Sequence, residues 1–177
     1  DEYGNPVQRV YAMVEDTGKQ LLIVSLGVGL FSMDLRTGKI TNRNKIDATG
    51  DEEGKNVLYN YWISSLLYDN EKIYIGTYDG LVCLDLKTNS YLSTFNADHK
   101  LTGTVVYSIL KDTDGNIWAG TSEGLACIRK DNHEATIYTI NDGLPSNVIC
   151  AVKEGNDGNI WISTHYGISQ FDRINKS

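Results

Sequence analysis

The chain is poor in the residues that mark several common classes of protein. Its 177 residues include three cysteines and two prolines, and lysine and arginine form no cluster. The formal net charge of −7 argues against a nucleic-acid partner and against an anionic membrane surface. No hydrophobic run approaches the length of a membrane span and no signal peptide is present, so we predict no direct membrane contact.

The three cysteines do not form a disulfide framework, and their spacing matches no metal site. Cys83 and Cys127 each lie three residues after a repeated glycine. Cys150 occupies a strand position where the other copies of the repeat carry alanine or serine. We therefore predict small, buried, unreactive thiols at all three positions, and no cofactor.

A nine-residue pattern occurs four times along the chain. It reads IWAGTSEGL at 117–125 and IWISTHYGI at 160–168, with looser copies IYIGTYDGL at 73–81 and LIVSLGVGL at 22–30. The closing glycines fall at positions 29, 80, 124 and 167, so the periods are 51, 44 and 43 residues. Repetition at this length, with several short strands in each unit, predicts a β-propeller or a related array.

The third copy shows how one repeat divides into strands. Short apolar runs at 106–110, 117–121, 125–128 and 136–140 are separated by turn sequences, of which Asp112-Thr113-Asp114-Gly115-Asn116 is the strongest hairpin signal. Four short strands joined by tight turns form an antiparallel meander, which is one propeller blade. We name its strands A to D in chain order.

The predicted fold is therefore an all-β partial propeller, a single domain over residues 1–177. Its four blades cover approximately residues 10–46, 63–96, 105–140 and 148–177, and the last is truncated before its strand D. The A–B turn of the fourth blade, Glu154 to Gly158, is expected to be one residue longer than that of the third. We expect the shortened blade to leave an exposed strand edge and the chain to self-associate through it.

The residues that recur in each copy are interpreted as architecture. Glycine in the B–C turn supplies a positive φ, and an aromatic ring on strand B faces a neighbouring blade. A threonine at the end of strand B is expected to hydrogen-bond locally. These structural positions are Tyr74, Trp118 and Trp161 for the rings, Gly80, Gly124 and Gly167 for the turns, and Thr77, Thr121 and Thr164.

Copies three and four also resemble a known family. The segments NDGLPSNV (141–148) and DGNIWIST (157–164), followed by Gly167-Ile168, are similar to the two-component regulator propeller repeat. Copy three matches through DTDGNIWAGT (112–121) and Gly124-Leu125. The resemblance extends over essentially the whole chain and is weakest in copy one, which lacks both the tryptophan and the Asp-Gly-Asn turn.

In that family the repeats build large propellers, often of seven blades, in the extracytoplasmic sensor region of hybrid two-component regulators of Bacteroides-type gut bacteria. Those sensors respond to glycan breakdown products and switch on polysaccharide-utilisation genes. The resemblance therefore implies a non-catalytic periplasmic segment of a carbohydrate-sensing hybrid histidine kinase. It also implies an oligosaccharide as the ligand of the intact sensor. With four copies in a chain that begins at Asp1, we expect part of a sensor.

A meander places its D–A and B–C loops at one end of every blade, and in this chain those loops are the more varied and aromatic. Aromatic faces stack on sugar C–H groups, and carboxylates hydrogen-bond hydroxyls. The candidate ligand-binding residues are Tyr59, Tyr61 and Trp62 before the second blade, and Tyr78, Asp79, His165 and Tyr166 in B–C turns. In the alternative interpretation, Tyr61 and Trp62 pack beneath their loop. His165 and Tyr166 would then form an exposed turn without a ligand.

Three functions are compatible with the sequence: a sensory binding module, a protein-interaction scaffold and a glycan-acting propeller enzyme. Acid–base catalysis requires a carboxylate pair or a histidine with a positioned partner. The three histidines, His99, His133 and His165, lie in non-equivalent loops, and no Ser/His/Asp motif or phosphate-binding glycine loop is present. We predict a non-catalytic sensor module, with the interaction scaffold as the main alternative.

Overall fold

The computed structural model describes residues 10–16, 20–25, 29–43, 62–88, 90–95, 105–131 and 133–173. Over these residues the chain forms fifteen strands in four sheets, and within each sheet the strands pair in the order in which they follow one another in sequence. The predicted antiparallel meanders are therefore confirmed. The sheets are called blades 1 to 4.

The strand bounds follow the repeats closely. Blade 1 consists of β1 (Val10–Glu15), β2 (Gln20–Ser25), β3 (Gly29–Asp34) and β4 (Ile40–Asn42). Blade 2 consists of β5 (Ile63–Asp69), β6 (Lys72–Thr77), β7 (Gly80–Asp85) and β8 (Ser90–Phe95). Blade 3 consists of β9 (Val106–Lys111), β10 (Ile117–Thr121), β11 (Leu125–Ile128) and β12 (Ala135–Tyr138). In the described part of blade 4 there are three strands, β13 (Ile149–Glu154), β14 (Ile160–Thr164) and β15 (Gly167–Phe171).

The chain divides into two compact units. One comprises residues 1–78 and 82–93, and the other comprises residues 79–81 and 94–177. Blade 1 and most of blade 2 belong to the first unit, whereas blades 3 and 4 belong to the second. The single domain predicted over residues 1–177 remains a prediction.

The core of the first unit lies between blades 1 and 2. Leu30 of blade 1 packs with aliphatic side chains of blade 2, and each of these residues is at most 2% exposed; they are Ile63, Ile73, Ile75, Val82 and Leu84. Ile73 and Ile75 alternate with Tyr74 along β6, so one face of the strand is aliphatic and enters the core. Burial of each such side chain contributes about 2 kcal/mol.

The core of the second unit is more aromatic. Trp118 and Tyr138 of blade 3 contact Phe171 of blade 4, with ring centroids 5.5 and 4.5 Å apart respectively. Around these rings lie the buried Leu125, Cys127, Leu144, Ile149, Val152, Ile160 and Ile162. Ser108 Oγ also accepts a hydrogen bond from Val152 N at 3.2 Å, which joins the first strands of the two blades. Blades 3 and 4 are therefore held together by both apolar and polar contacts.

The A–B turns of blades 3 and 4 have the same length. Asp112 N donates to Asn116 O at 2.9 Å, and Gly155 N donates to Asn159 O at 2.8 Å. The expected insertion in the fourth turn is therefore wrong. The two turns differ by substitution, because Gly155 occupies the position that Asp112 has in blade 3.

Strand β12 ends at Tyr138, two residues before the predicted end at Ile140. The cause is a capped 3-10 turn at Ile140–Asp142. Thr139 Oγ1 accepts a hydrogen bond from Asn141 N at 3.2 Å, and Asp142 Oδ2 accepts one from Thr139 N at 2.8 Å. This reciprocal cap stops the strand because it directs the backbone N–H groups to side chains instead of to β11.

The cysteines differ in exposure. Cys83 and Cys127 are buried, as predicted, but Cys150 is exposed, so the prediction is wrong for that residue. The pairing of β13 with β14 has an irregularity between Ile149 and Ala151. Ile149, which is 0% exposed, takes the inward position next to this irregularity, and Cys150 points to solvent.

Candidate functional site

The B–C turns are built by the threonine and glycine that recur in the repeats. Thr121 Oγ1 donates to Gly124 O at 2.9 Å and accepts from Glu123 N at 3.1 Å. Thr164 makes the same pair of bonds in blade 4, to Gly167 O at 3.2 Å and from Tyr166 N at 3.1 Å. The local hydrogen bonding expected of these threonines is confirmed, and it presents the two residues between threonine and glycine to solvent.

In blade 4 the two presented residues are His165 and Tyr166. Both are exposed, and 83% of the Tyr166 surface is accessible. Neither side chain makes a ring contact among the described residues. The turn can therefore offer an imidazole and a phenol to a ligand, but the structure holds neither side chain against another aromatic ring.

Trp62 and Tyr78 form an aromatic pair at one end of blade 2. Their ring centroids lie 5.1 Å apart with an interplanar angle of 74°, which is an edge-to-face arrangement. Tyr78 N donates to Trp62 O at 3.0 Å, so a backbone bond fixes the residue before β5 to the residue after β6. Trp62 is 52% exposed and Tyr78 48% exposed. The pair is thus fixed in geometry and half open to solvent.

The other candidate ligand-binding residues are placed as follows. Asp79 follows Tyr78 in the B–C turn and is exposed. Tyr59 and Tyr61 lie outside the described residues. The structure therefore brings together Trp62 and Tyr78, which both belong to the first unit. Asp79 follows Tyr78 in sequence and, like His165 and Tyr166, is assigned to the second unit.

The recurring ring on strand B has a different environment in each blade. Trp118 is 3% exposed in the core, whereas Trp161 is 44% exposed. Tyr74 lies between these two in exposure. Burial, with a smaller effect of the neighbouring Cys83, raises the pKa of Tyr74 to about 12. Burial also raises the pKa of the Cys83 thiol to about 11, which makes this thiol a poor nucleophile at neutral pH. The recurring turn glycines, Gly80, Gly124 and Gly167, all have positive φ.

A highly connected polar group in the second unit was not predicted from the sequence. Asp112 is buried, and its Oδ2 accepts a hydrogen bond from Trp118 Nε1 at 2.8 Å. Asn116 donates to the same carboxylate through its backbone N–H and its side-chain amide, at 2.8 and 3.0 Å. Arg173, which follows the last strand of blade 4, places Nη1 2.9 Å from Asp112 Oδ2.

Two more carboxylates complete this contact between blades 3 and 4. Arg173 also pairs with Asp114 and Glu154, each at 3.2 Å. Glu154 in turn accepts hydrogen bonds from Thr113 N at 2.9 Å and from Thr113 Oγ1 at 2.7 Å. Asp112, Asp114 and Glu154 therefore each form an ion pair with Arg173. Glu154 also accepts hydrogen bonds from the turn of blade 3.

The electrostatics of Asp112 indicate a structural role. Burial alone would raise its pKa, but the hydrogen bonds from Trp118 and Asn116 and the contact with Arg173 outweigh burial. The pKa of this carboxyl therefore lies below its ordinary value of 3.8, and the group stays ionised. Among the described residues, no three His, Cys, Asp or Glu side chains group in a way that could hold a metal ion.

The one signal for this group in the sequence is the exchange between turns of equal length. Asp112 in the third A–B turn corresponds to Gly155 in the fourth.

Two of the four repeats match a known protein family. Two segments, residues 100–123 and 143–166, match the family model described as the two component regulator propeller. This chain contains two-component regulator propeller repeats. The matched segments include β9 with β10 and β13 with β14, the strands that carry Trp118 and Trp161. No curated protein matches the chain in sequence.

Solved structures share the fold of these propeller repeats. The extracellular domain of BT3049 from B. thetaiotaomicron, described as a hybrid two component system, aligns with a TM-score of 0.73 and 29% identity over 97% of this chain and 22% of its own. The extracellular domain of BT4673 from the same organism aligns with a TM-score of 0.72 and 24% identity over 94% of this chain and 22% of its own. The WD40 β-propeller domain of Doa1 aligns with a TM-score of 0.69 and 18% identity over 93% of this chain and 51% of its own.

These likenesses confirm the β-propeller fold predicted from the repeats. The chain spans about a fifth of the length of the two B. thetaiotaomicron domains, that is 22% of each. Among the described residues, none forms a helix that is long and apolar enough to cross a membrane.

Proposed function

We propose that this chain is a non-catalytic, ligand-sensing propeller segment of the periplasmic region of a hybrid two-component system, and that its ligand is an oligosaccharide. The family of its repeats and the likeness to two extracellular domains of B. thetaiotaomicron support the sensor role. A histidine kinase activity would then belong to another part of a longer protein.

The observation that carries the ligand proposal is the exposed pair of Trp62 and Tyr78. The residues next to them in the strands, Ile63 and Thr77, are 1% and 0% exposed, so the pair lies at the boundary between core and solvent. Leaving half of an indole in water forgoes about 1 kcal/mol of burial free energy. A ligand that covers these rings would recover that free energy.

The chemistry of the pair suits a sugar. Tryptophan and tyrosine offer broad, rigid apolar surface with a polar N–H or O–H at the edge, and they lose little conformational entropy on binding. Because Tyr78 is tied to Trp62 by the 3.0 Å backbone bond, the surface is organised before a ligand arrives. Asp79 lies in the adjacent turn and can accept hydrogen bonds from hydroxyl groups. The net charge of −7 favours neutral over acidic oligosaccharides.

The carboxylates of blades 3 and 4 support a binding role without catalysis. A general acid or base needs a carboxyl group that can exchange a proton with substrate near neutral pH. Asp112 has a lowered pKa and is buried under Trp118, Asn116 and Arg173. Glu154 is engaged by Thr113 and Arg173. These groups stabilise the contact between blades and are not available to a substrate.

The proposal is tested by calorimetric titration of the chain with a panel of neutral and acidic oligosaccharides. We expect a neutral member of the panel to bind, and Trp62→Ala and Tyr78→Ala each to weaken that binding at least about tenfold. Trp161→Ala is the matched control, because it removes a similarly exposed tryptophan from a sheet face and should leave affinity unchanged. The absence of binding to any oligosaccharide, or binding that is insensitive to both substitutions, would contradict the proposal.

A protein-interaction role is the second candidate function. It is favoured by the exposed Trp161 and Ile168 of blade 4, which are 44% and 74% accessible. The self-association through a strand edge that the sequence predicts would use β15, which among the described strands pairs with β14 alone.

A further inference from the structure

Strand A of every blade has one irregularity in its pairing with strand B. In blade 2, Ile63 pairs with Thr77 and Ser65 pairs with Gly76, so the register passes over Ser64. The same irregularity lies near the start of strand A in the other three blades. It is therefore part of the blade architecture, while the residue that occupies it differs. The four residues are Tyr11, Ser64, Tyr107 and Cys150.

In blade 2 the residue at the irregularity bonds to the neighbouring strand. Ser64 is half-buried, and its Oγ donates a hydrogen bond to Gly76 O at 3.0 Å. Gly76 is buried, so the hydroxyl supplies a donor to a buried carbonyl at the point where the ladder is interrupted. In blades 3 and 4 the corresponding Tyr107 and Cys150 are exposed instead.

The Ser64 bond lies close to the aromatic pair of blade 2. Trp62 precedes Ser64 by two residues, and Tyr78 follows Gly76 by two residues. Tyr78 N also donates to Trp62 O at 3.0 Å. The end of the β5–β6 hairpin that carries both rings is therefore held by a backbone bond and, two residues further into the hairpin, by the serine hydroxyl.

Blade 3 shows that the backbone bond does not require the rings. Ser122 N donates to Val105 O at 3.0 Å, at the positions that Tyr78 and Trp62 occupy in blade 2. Neither Val105 nor Ser122 carries a ring. The backbone bond therefore belongs to the architecture of the blade, whereas the aromatic pair occurs together with the serine bond in blade 2.

The geometry of the pair explains why a second bond matters. The two ring centroids lie 5.1 Å apart at an interplanar angle of 74°, and about half of each residue faces solvent. The end of a hairpin opens locally at a lower free energy than its centre. A buried bond next to this end limits the opening, so the rings keep their orientation before a ligand arrives, which lowers the cost of binding.

We propose that Ser64 is a positioning residue for the aromatic pair, and that it holds the end of the β5–β6 hairpin in the geometry that a neutral oligosaccharide covers. The inference rests on the proposed function, because it assigns Ser64 a role at the same site. Ser64 acts through Gly76 and the hairpin end, and the ligand contacts remain with Trp62 and Tyr78.

Amide hydrogen exchange of the ligand-free chain tests the hold on the pair. Ser64→Ala should accelerate exchange of the Tyr78 N–H at least about tenfold, because the hairpin end then opens more often. Ser64→Thr keeps a hydroxyl and should restore the slow exchange. The Ser122 N–H, bonded in the same way in blade 3, is the reference within the same sample and should not change. Unchanged exchange at Tyr78, or equal acceleration at Ser122, would overturn the proposal.

A second serine provides the matched control. Ser108 Oγ also bonds a strand A to a backbone group, since it accepts from Val152 N at 3.2 Å, but it lies in blade 3. Ser108→Ala therefore removes a comparable hydrogen bond and should leave exchange at Tyr78 unchanged. If Ser64 only contributed to stability in general, Ser64→Ala and Ser108→Ala would have the same effect at Tyr78.

Calorimetric titration with the neutral tetrasaccharides of glucose, galactose and mannose tests the role in binding. Ser64→Ala should weaken binding of a tetrasaccharide that the wild type binds at least about fivefold, while Ser64→Thr and Ser108→Ala bind like the wild type. Wild-type affinity in Ser64→Ala, with binding weakened in Trp62→Ala, overturns the positioning role and leaves the proposed function intact. If none of these sugars binds the wild type, the proposed function is contradicted, and the exchange at Tyr78 still decides whether Ser64 holds the pair.

Discussion

Arg173 Nη1 lies 2.9 Å from Oδ2 of Asp112, whose side chain has no exposed surface. The two residues belong to different blades, so this ion pair joins the A–B turn of blade 3 to the segment after β15 of blade 4. The same carboxylate holds the indole of Trp118 through its Nε1–H. One buried group therefore fixes both the position of a core ring and the stacking of two blades.

Removing the buried carboxylate should be far more costly than removing its exposed neighbour. Asp112→Ala leaves Arg173 and the Trp118 N–H without their acceptor, and we expect the free energy of unfolding to fall by about 3 kcal/mol. Asp114 also contacts Arg173, but its side chain is 72% exposed, so Asp114→Ala should cost less than about 1 kcal/mol. Urea unfolding of both variants measures the difference, and equal losses would contradict the assignment.

The ion pair also predicts a dependence of stability on pH. Because the pKa of Asp112 in the folded chain lies below 3.8, its contribution is complete above the pKa of the unfolded state, which is about 4. The contribution is lost as the pH falls through the folded pKa. The stability difference between wild type and Asp112→Asn should therefore shrink as the pH falls below about 4. A stability difference between the two proteins that grows as the pH falls would contradict a lowered pKa of Asp112.

Two turn glycines at equivalent positions should respond differently to alanine. Gly124 and Gly167 both have positive φ, 152° and 128°. A Cβ on Gly124 would lie 2.5 Å from Tyr138 O, whereas a Cβ on Gly167 would meet nothing within 4 Å. Both variants carry backbone strain of about 1–3 kcal/mol, and Gly124→Ala should lose about 2 kcal/mol more. Thermal unfolding of the matched pair checks this prediction. A larger loss of stability for Gly167→Ala than for Gly124→Ala would contradict the close contact between a Cβ at position 124 and Tyr138 O.

Thiol labelling should separate the three cysteines. Cys150 is exposed, whereas Cys83 and Cys127 are buried, and the pKa of Cys83 is raised to about 11. In the folded chain we expect one thiol to react rapidly with an aromatic disulfide reagent, and Cys150→Ser to abolish that rapid phase. Denaturation should expose the other two. Rapid labelling of a second thiol in the folded chain would mean that one of the buried sites opens easily.

The repeats predicted the blades well, because the pattern of strand B and its closing turn is local. Thr121 and Gly124 make the turn with their own atoms, and Thr164 and Gly167 repeat it. The sequence also placed Trp62 and Tyr78 at the same end of a blade, since a meander sorts its loops by end. Their contact at 5.1 Å agrees with that placement.

Contacts between blades were less predictable, because they depend on which partner covers a face. Trp118 and Trp161 occupy the same position in two copies of the repeat, yet one is buried and the other is 44% exposed. Arg173 pairs with Asp112 across 61 positions of sequence, and nothing in the repeat marks the residue after strand C as a partner. Cys150 was misplaced because an irregularity in β13 is not visible as a pattern of apolar residues.

The central claim is that the ligand binds at Trp62 and Tyr78, while the recurring tryptophans hold the blades. The chain has three tryptophans, so a ¹⁵N–¹H spectrum contains three indole signals. During titration with the oligosaccharide that binds, we predict that the Trp62 signal shifts and that the signals of Trp118, bonded to Asp112, and Trp161 stay in place. A saturated complex in which the Trp62 signal does not move would contradict the account.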